Sequence, residues 1–324
     1  MDDHALGKSL EAQLMKALIA SGVSAASALA HLVARARGEL RPLEITRDLR
    51  YGTGPRQRLE VWRPRAPARA PRPLVLFLHG GGFQHLDPAS HWSFAERFAQ
   101  AGAVVVSAGY RLAPRHPYPA AADDARAAYR WTVDHARALG GDREALVVAG
   151  ASAGGNLALG LAIGERYAGV APRACVLFSG LLQVSDMARL YRRGGVGRLL
   201  RARMASIGSD YVAHPQAFSL PAAADPRLDP LLYLERSRAL PPGFPAVFAS
   251  SGTADQVLDD ALRLRACLAR LGAACEVDVV ERAGHTFQSF TFRADARALW
   301  ERAFAFLRAQ GVQLVSARSS GAAS

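Results

Sequence analysis

Residues 146–156 read Leu-Val-Val-Ala-Gly-Ala-Ser-Ala-Gly-Gly-Asn, an apolar run that passes directly into a Gly-x-Ser-x-Gly turn. Gly150 and Gly154 let the backbone reverse sharply between a strand and a helix, which lifts the Ser152 hydroxyl into the open as a nucleophile elbow. A serine hydroxyl at neutral pH is a poor nucleophile. It needs a base to take its proton and a carboxylate to hold that base in the right tautomer. Gly-x-Ser-x-Gly also arises by chance in Ala- and Gly-rich chains, so its meaning rests on its neighbours.

Both partners lie downstream. Asp255 closes Ser251-Gly-Thr-Ala-Asp255 after an apolar run at 246–250, and His285 sits in Ala283-Gly-His285-Thr-Phe after a run at 277–280. Each falls at the carboxyl end of an expected strand, the edge where open α/β sheets assemble their sites. Asp259 and Asp260 are rivals for the acid, but they lie one turn on and are expected to be exposed helix residues. His85, His91 and His116 are expected to be structural or surface histidines, and their spacing makes no metal-ligand pattern. Upstream, His79-Gly80-Gly81-Gly82-Phe83 follows an apolar run. The N–H groups of Gly81 and Gly82, with that of Ala153, are expected to hold the negative oxygen that forms when an acyl carbonyl is attacked. A phosphate cradle would require a Gly-Lys-Ser/Thr ending, and no lysine follows here. His79 is expected to tether the loop through a hydrogen bond.

These residues need a frame. Strands are predicted at 43–51 and 59–62, and a surface loop at 63–73. Fully apolar runs at 74–78, 103–106, 146–148, 175–178 and 246–248 read as strands buried on both faces, with a last strand at 275–280. Helical patterns at 123–139, 153–167, 256–271 and 294–307 alternate with them, so the predicted fold class is α/β, a mostly parallel sheet covered on both faces. Leu6, Leu10, Leu14 and Leu18 recur on one helical face, and a second helical stretch carries Leu29, Leu32 and Val33. The interval from 179 to 245 is too long for a plain connection and implies an insertion with structure of its own. The tail from Ser316 is expected to be disordered.

A chain of 324 residues, 50% hydrophobic, can bury a full core. Its net charge is +12, carried almost wholly by arginine, with lysine only at Lys8 and Lys16. The arginines are scattered without interleaved aromatics, which argues against a nucleic-acid partner. The best apolar window, 14–33, is interrupted by Lys16, Ser21, Gly22, Ser24 and His31 and follows an acidic start. The expectation is a cytoplasmic protein without integral membrane association. Cys175, Cys267 and Cys275 lack the spacing of a disulfide framework or a zinc site and read as buried thiols.

Together the glycine loop, the elbow and the downstream pair resemble the hormone-sensitive lipase family of α/β-hydrolases, chiefly its bacterial carboxylesterases. The order Ser, Asp, His is that of the α/β-hydrolase type, and Tyr110-Arg-Leu-Ala-Pro-Arg-His-Pro-Tyr-Pro-Ala-Ala-Ala-Asp-Asp124 resembles the segment that this family carries between glycine loop and elbow. The resemblance implies an α/β-hydrolase core at 43–182 and 226–315, a helical cap from 1–42 and 183–225, and a tail at 316–324. It also implies a cofactor-free, metal-free serine carboxylesterase that cleaves short- to medium-chain acyl esters through an acyl-enzyme. Ser152, Asp255 and His285 would be catalytic, and Gly81, Gly82 and Ala153 would form the oxyanion hole. A homodimer is implied by the same resemblance. An amidase or deacetylase acting on a specialised metabolite stays open, as does a non-catalytic small-molecule receptor, although such receptors have lost the histidine that stands here at 285. Ala151 and Arg115 depart from the usual pattern, which leaves subfamily and substrate unassigned.

Overall fold

The computed structural model describes residues 40–191, 198–212 and 225–315, preceded by residues 25, 28, 29 and 31–38. The helix expected to carry Leu6, Leu10, Leu14 and Leu18, parts of the expected insertion (192–197 and 213–224) and the tail 316–324 lie outside the described residues.

The apolar runs pair into one eight-stranded sheet. The strands are β1 (Leu43–Arg50), β2 (Arg58–Pro64), β3 (Arg72–Leu78), β4 (Val104–Ala108), β5 (Gly141–Ala151), β6 (Ala174–Phe178), β7 (Ala246–Gly252) and β8 (Cys275–Val280), in the order β1-β2-β4-β3-β5-β6-β7-β8. From β4 to β8 all neighbours are parallel, whereas β1–β2 and β2–β4 are antiparallel. Successive side chains of a strand point to opposite faces, so β3 feeds both sides. Leu74, Leu76 and Leu78 pack toward helices α2 (Ala120–Leu139), α3 (Ala153–Gly164) and α6 (Leu258–Arg270), while Val75 and Phe77 pack toward α1 (Trp92–Gln100) and α7 (Ala294–Ala309). Because both faces are covered, the central strands can be apolar throughout.

Boundaries move where tertiary contacts outweigh pattern. Arg72 and Pro73 belong to β3 rather than to the preceding loop, and β5 starts at Gly141, ahead of its apolar run, through the polar Asp142, Arg143 and Glu144. α3 stops at Gly164, where Glu165 turns inward to pair with Arg126 and Arg130 of α2. Cys175 and Cys267 are buried thiols as expected, but Cys275, on the edge strand, is only half-buried.

The described part of the interval 179–245 contains a 3-10 turn (Met187–Tyr191), α4 (Arg198–Val212) and α5 (Pro230–Arg236). Two carboxylates fasten its beginning to the core. Asp260 is fully buried, contrary to the expected exposed position. It accepts the N–H groups of Leu182 (2.7 Å) and Gln183 (3.3 Å) and the guanidinium of Arg189 (2.9 Å). Asp229 accepts the N–H groups of Val184 (2.6 Å) and Ser185 (3.1 Å). The first turn of α6 faces this segment, so a charge that helical periodicity would assign to solvent is instead needed to saturate buried amides. Asp260→Ala leaves two buried amides without their acceptor and Arg189 without its carboxylate; a loss of about 3 kcal/mol of stability is expected, measured as a lowered urea midpoint at unchanged slope.

Candidate active site

Ser152 occupies the one-residue corner between β5 and α3 with φ 52° and ψ −117°, a conformation that a non-glycine residue adopts only when its surroundings impose it. Here the imposition is steric and hydrogen-bonded. A Cβ on Gly150 would lie 2.1 Å from the Gly154 carbonyl oxygen, and one on Gly154 would lie 2.0 Å from the Leu78 oxygen. Only glycines let α3 press this closely on the ends of β5 and β3. The Ser152 N–H donates to the Phe178 carbonyl (2.9 Å), and the Ser152 carbonyl accepts from Gly155 (2.9 Å) and Leu181 (3.0 Å).

Asp255 and His285 arrive on adjacent loops after β7 and β8. A Cβ on Gly252 would stand 1.8 Å from the Ala283 carbonyl oxygen, and Ala254 N–H donates to that same oxygen (3.1 Å), so the two loops are joined backbone to backbone. The result is a continuous chain of hydrogen bonds: Asp255 Oδ1 to His285 Nδ1 at 2.8 Å, and His285 Nε2 to Ser152 Oγ at 3.0 Å. An ionised Asp255 can only accept, which assigns the proton to Nδ1 and leaves the Nε2 lone pair facing the serine hydroxyl. Burial alone would raise the Asp255 carboxyl pKa. The charge and hydrogen bond of His285, with help from Ser179 and the Val257 N–H, outweigh burial and hold it below the ordinary value. Burial likewise disfavours the His285 cation, but the charge of Asp255 and its hydrogen bond raise the imidazole above its usual pKa.

The glycine loop closes the other side. Gly81 and Gly82 have φ of 117° and 61°. A Cβ on Gly81 would lie 2.1 Å from the His85 carbonyl oxygen, and one on Gly82 would lie 2.6 Å from Ile207 of α4. Gly80 abuts the elbow, since a Cβ there would lie 3.2 Å from Ser152 Cβ. Among the described residues, the N–H groups of Gly81, Gly82 and Ala153 meet no acceptor. As expected, His79 Nδ1 bonds within the loop, to the Gly80 carbonyl oxygen (2.7 Å), and its ring stacks on Tyr110 at 4.2 Å.

Of the six residues singled out from the sequence, Asp255, His285 and Ser152 are joined by hydrogen bonds, Ala153 directly follows Ser152, and Gly81 and Gly82 follow the Gly80 that abuts it; among the described residues no hydrogen bond joins His91 or His116 to Ser152. Two neighbours escaped the sequence reading. Ser179, just past β6, accepts the Thr286 N–H (3.1 Å) beside the His285 loop; its place at a strand's carboxyl end was the available signal. Gln84 donates to the Ser206 carbonyl and to Asp210 Oδ2 (3.0 Å each), and Phe83 stacks on Tyr211 at 3.8 Å, so α4 is bound to the glycine loop. Among the described residues, no cluster of three or more His, Cys, Asp or Glu side chains could hold a metal ion, and no helix is long and apolar enough to cross a membrane.

Residues 75–289 match a family described as alpha/beta hydrolase fold. The chain belongs to the α/β-hydrolase family. It falls on the side of that family that includes hormone-sensitive lipase, as its motifs suggested. Esterase LipI of Mycobacterium tuberculosis is 33% identical to this hydrolase over 255 residues, 78% of this chain and 76% of that one. Ethyl acetate hydrolase of Pseudomonas putida is 34% identical over 217 residues, 66% of this chain and 65% of its own length. Among solved structures, an esterase of Pyrobaculum calidifontis superposes with a TM-score of 0.73 at 26% identity, covering 93% of each chain.

The geometry makes a direct expectation for titration. The His285 imidazole should titrate above the ordinary value of about 6.5, and Asp255→Asn, which removes the facing charge, should move the midpoint down; a histidine-selective NMR titration of the two proteins measures both.

Proposed function

We propose that this carboxylic ester hydrolase cleaves short- to medium-chain acyl esters through an acyl-enzyme on Ser152. One observation carries the reading: the unbroken Asp255–His285–Ser152 hydrogen-bonded chain, flanked by the N–H of Ala153 and by the glycine loop, whose Gly81 and Gly82 N–H groups, like that of Ala153, meet no acceptor among the described residues. Ser152 Oγ attacks the ester carbonyl while His285 Nε2 takes its proton. The carbonyl oxygen, now negative, is held by the three N–H groups, each worth about 3 kcal/mol of barrier. Collapse of this tetrahedral species breaks the bond to the alcohol oxygen, which leaves with the proton from His285. Water, deprotonated by the same nitrogen, then releases the acid and restores the serine. Asp255 stays ionised throughout, fixing the tautomer and stabilising the imidazolium. No cofactor enters these steps.

The relative named for ethyl acetate supports a short acyl chain. The contacts of Ile207 and Tyr211 with the glycine loop support reading 183–225 as a cap over the acyl site; the assignment of 1–42 to the same cap, around the core segments 43–182 and 226–315, rests on the family resemblance. A cytoplasmic setting is supported by three free thiols, and a homodimer by the family resemblance.

Ser152→Ala should lower kcat on p-nitrophenyl butyrate by roughly 10⁴-fold or more. A fluorophosphonate should add its mass to the peptide containing Ser152 and to no other. Equal turnover by wild type and Ser152→Ala would end this reading. Because only neutral His285 can take the proton, kcat/KM should rise with pH through the same elevated midpoint that the imidazole shows, and activity should be lost below it.

A further inference from the structure

Gly80 is gripped at both ends. Its carbonyl oxygen accepts from His79 Nδ1 (2.7 Å), and its N–H donates to His91 Nε2 (3.1 Å). His79 belongs to the glycine motif itself. His91 comes from outside it, at the end of the 3-10 turn Pro88–His91, and none of the catalytic steps above uses it. We propose that His91 is a positioning residue for the oxyanion hole: by accepting the Gly80 N–H through Nε2, it sets the peptide planes that aim the Gly81 and Gly82 N–H groups at the acyl oxygen. This role rests on the reading of those N–H groups as the oxyanion hole.

Peptide groups are planar, so holding Gly80 by its N–H on one side and its carbonyl on the other fixes both flanking planes, and the Gly81 N–H shares the second. Left to itself, a run of three glycines has more conformational freedom than any other tripeptide. The two imidazoles supply the restraint that the sequence withholds. The acceptor role of Nε2 is itself set from behind. A neutral imidazole has one donor and one acceptor; the proton therefore resides on Nδ1, which faces Ser90 Oγ at 3.2 Å. That oxygen is held by the capping box at Asp87, donating to the Asp87 carbonyl (2.6 Å) and accepting the Asp87 N–H (3.1 Å). The residue is 3% exposed, and its ring packs against Phe77 and Phe94. Burial, reinforced by the neighbouring His79, pushes its pKa down to about 3, so the lone pair stays available at neutral pH. Imidazole, glycine and nucleophile stand in direct succession: the Cβ position of Gly80 is 3.1 Å from His91 Nε2 and 3.2 Å from Ser152 Cβ. A displacement at Nε2 therefore reaches the reacting centre across a single residue.

Three substitutions separate acceptor from bulk. His91→Met fills the space without an acceptor, His91→Asn reaches only as far as Nδ1, and His91→Gln carries an amide oxygen to the place of Nε2. Kinetics on p-nitrophenyl butyrate should show kcat lowered about 100-fold in His91→Met and His91→Asn with KM within about twofold, and His91→Gln within about fivefold of wild type. Circular dichroism checks folding, and if one acceptor-free variant fails to fold the other carries the comparison. Equal kcat in the folded acceptor-free variant and wild type overturns the role. So does a His91→Gln enzyme as slow as the acceptor-free ones, since the ring would then act by packing. In either case Ser152-dependent turnover of wild type leaves the esterase reading standing. Wild-type turnover that survives Ser152→Ala overturns both.

Discussion

The site depends on a backbone contact: the first turn of α3 lies against the ends of β5 and β3, at separations where Gly150 and Gly154 have no room for a Cβ. That contact forces Ser152 into a positive φ. It also starts α3 at Ala153, whose N–H is one of the donors at a helix start that no intrahelical acceptor can satisfy. The corner is held by hydrogen bonds from three directions, to Phe178, Gly155 and Leu181, which over-determine a conformation that would otherwise relax. A hydroxyl held this way loses little freedom on meeting a ligand, because the ordering has already taken place on folding.

Asp255 and His285 follow the same logic with charge in place of sterics. Gly252 and Ala283 bring two loops together so tightly that Asp255 and His285 have little freedom to separate, and each then shifts the other's proton equilibrium in the direction that favours the ion pair. Desolvation opposes both charges. The pair prevails because the hydrogen bond is short and the carboxylate has further donors in the Ser251 hydroxyl and the Val257 N–H.

Much of this was legible in the residues. The central strands announce themselves as continuous apolar runs because both sheet faces are covered, and Ser152, Asp255 and His285 each follow such a run in the order expected of this architecture. What stayed hidden is tertiary in origin. Asp260 reads as a solvated helix residue because polarity and position alone say so; only the amides of Leu182 and Gln183, far away in sequence, require it inside. His91 looked like any surface or structural histidine, since nothing local reveals that its Nε2 will meet a glycine N–H eleven residues back. α1 was missed because it is nine residues long and follows a 3-10 turn without a side-chain cap of its own. The antiparallel placement of β1 and β2 at the sheet's margin likewise depends on pairing that no periodicity encodes.

The fastening of α4 to the glycine loop, through the Phe83–Tyr211 stack, the Gln84–Asp210 bond and the contact of Ile207 with Gly82, has an evolutionary consequence. If the mechanism and cap proposed above hold, a lineage of such hydrolases would diversify its diet by remodelling α4, yet that helix is fastened to the glycine loop proposed to hold the developing charge. Under that reading selectivity and speed are inherited together, and a chimera made by grafting a foreign cover onto this core would carry over the appetite of its donor only along with a disturbance of the floor beneath it.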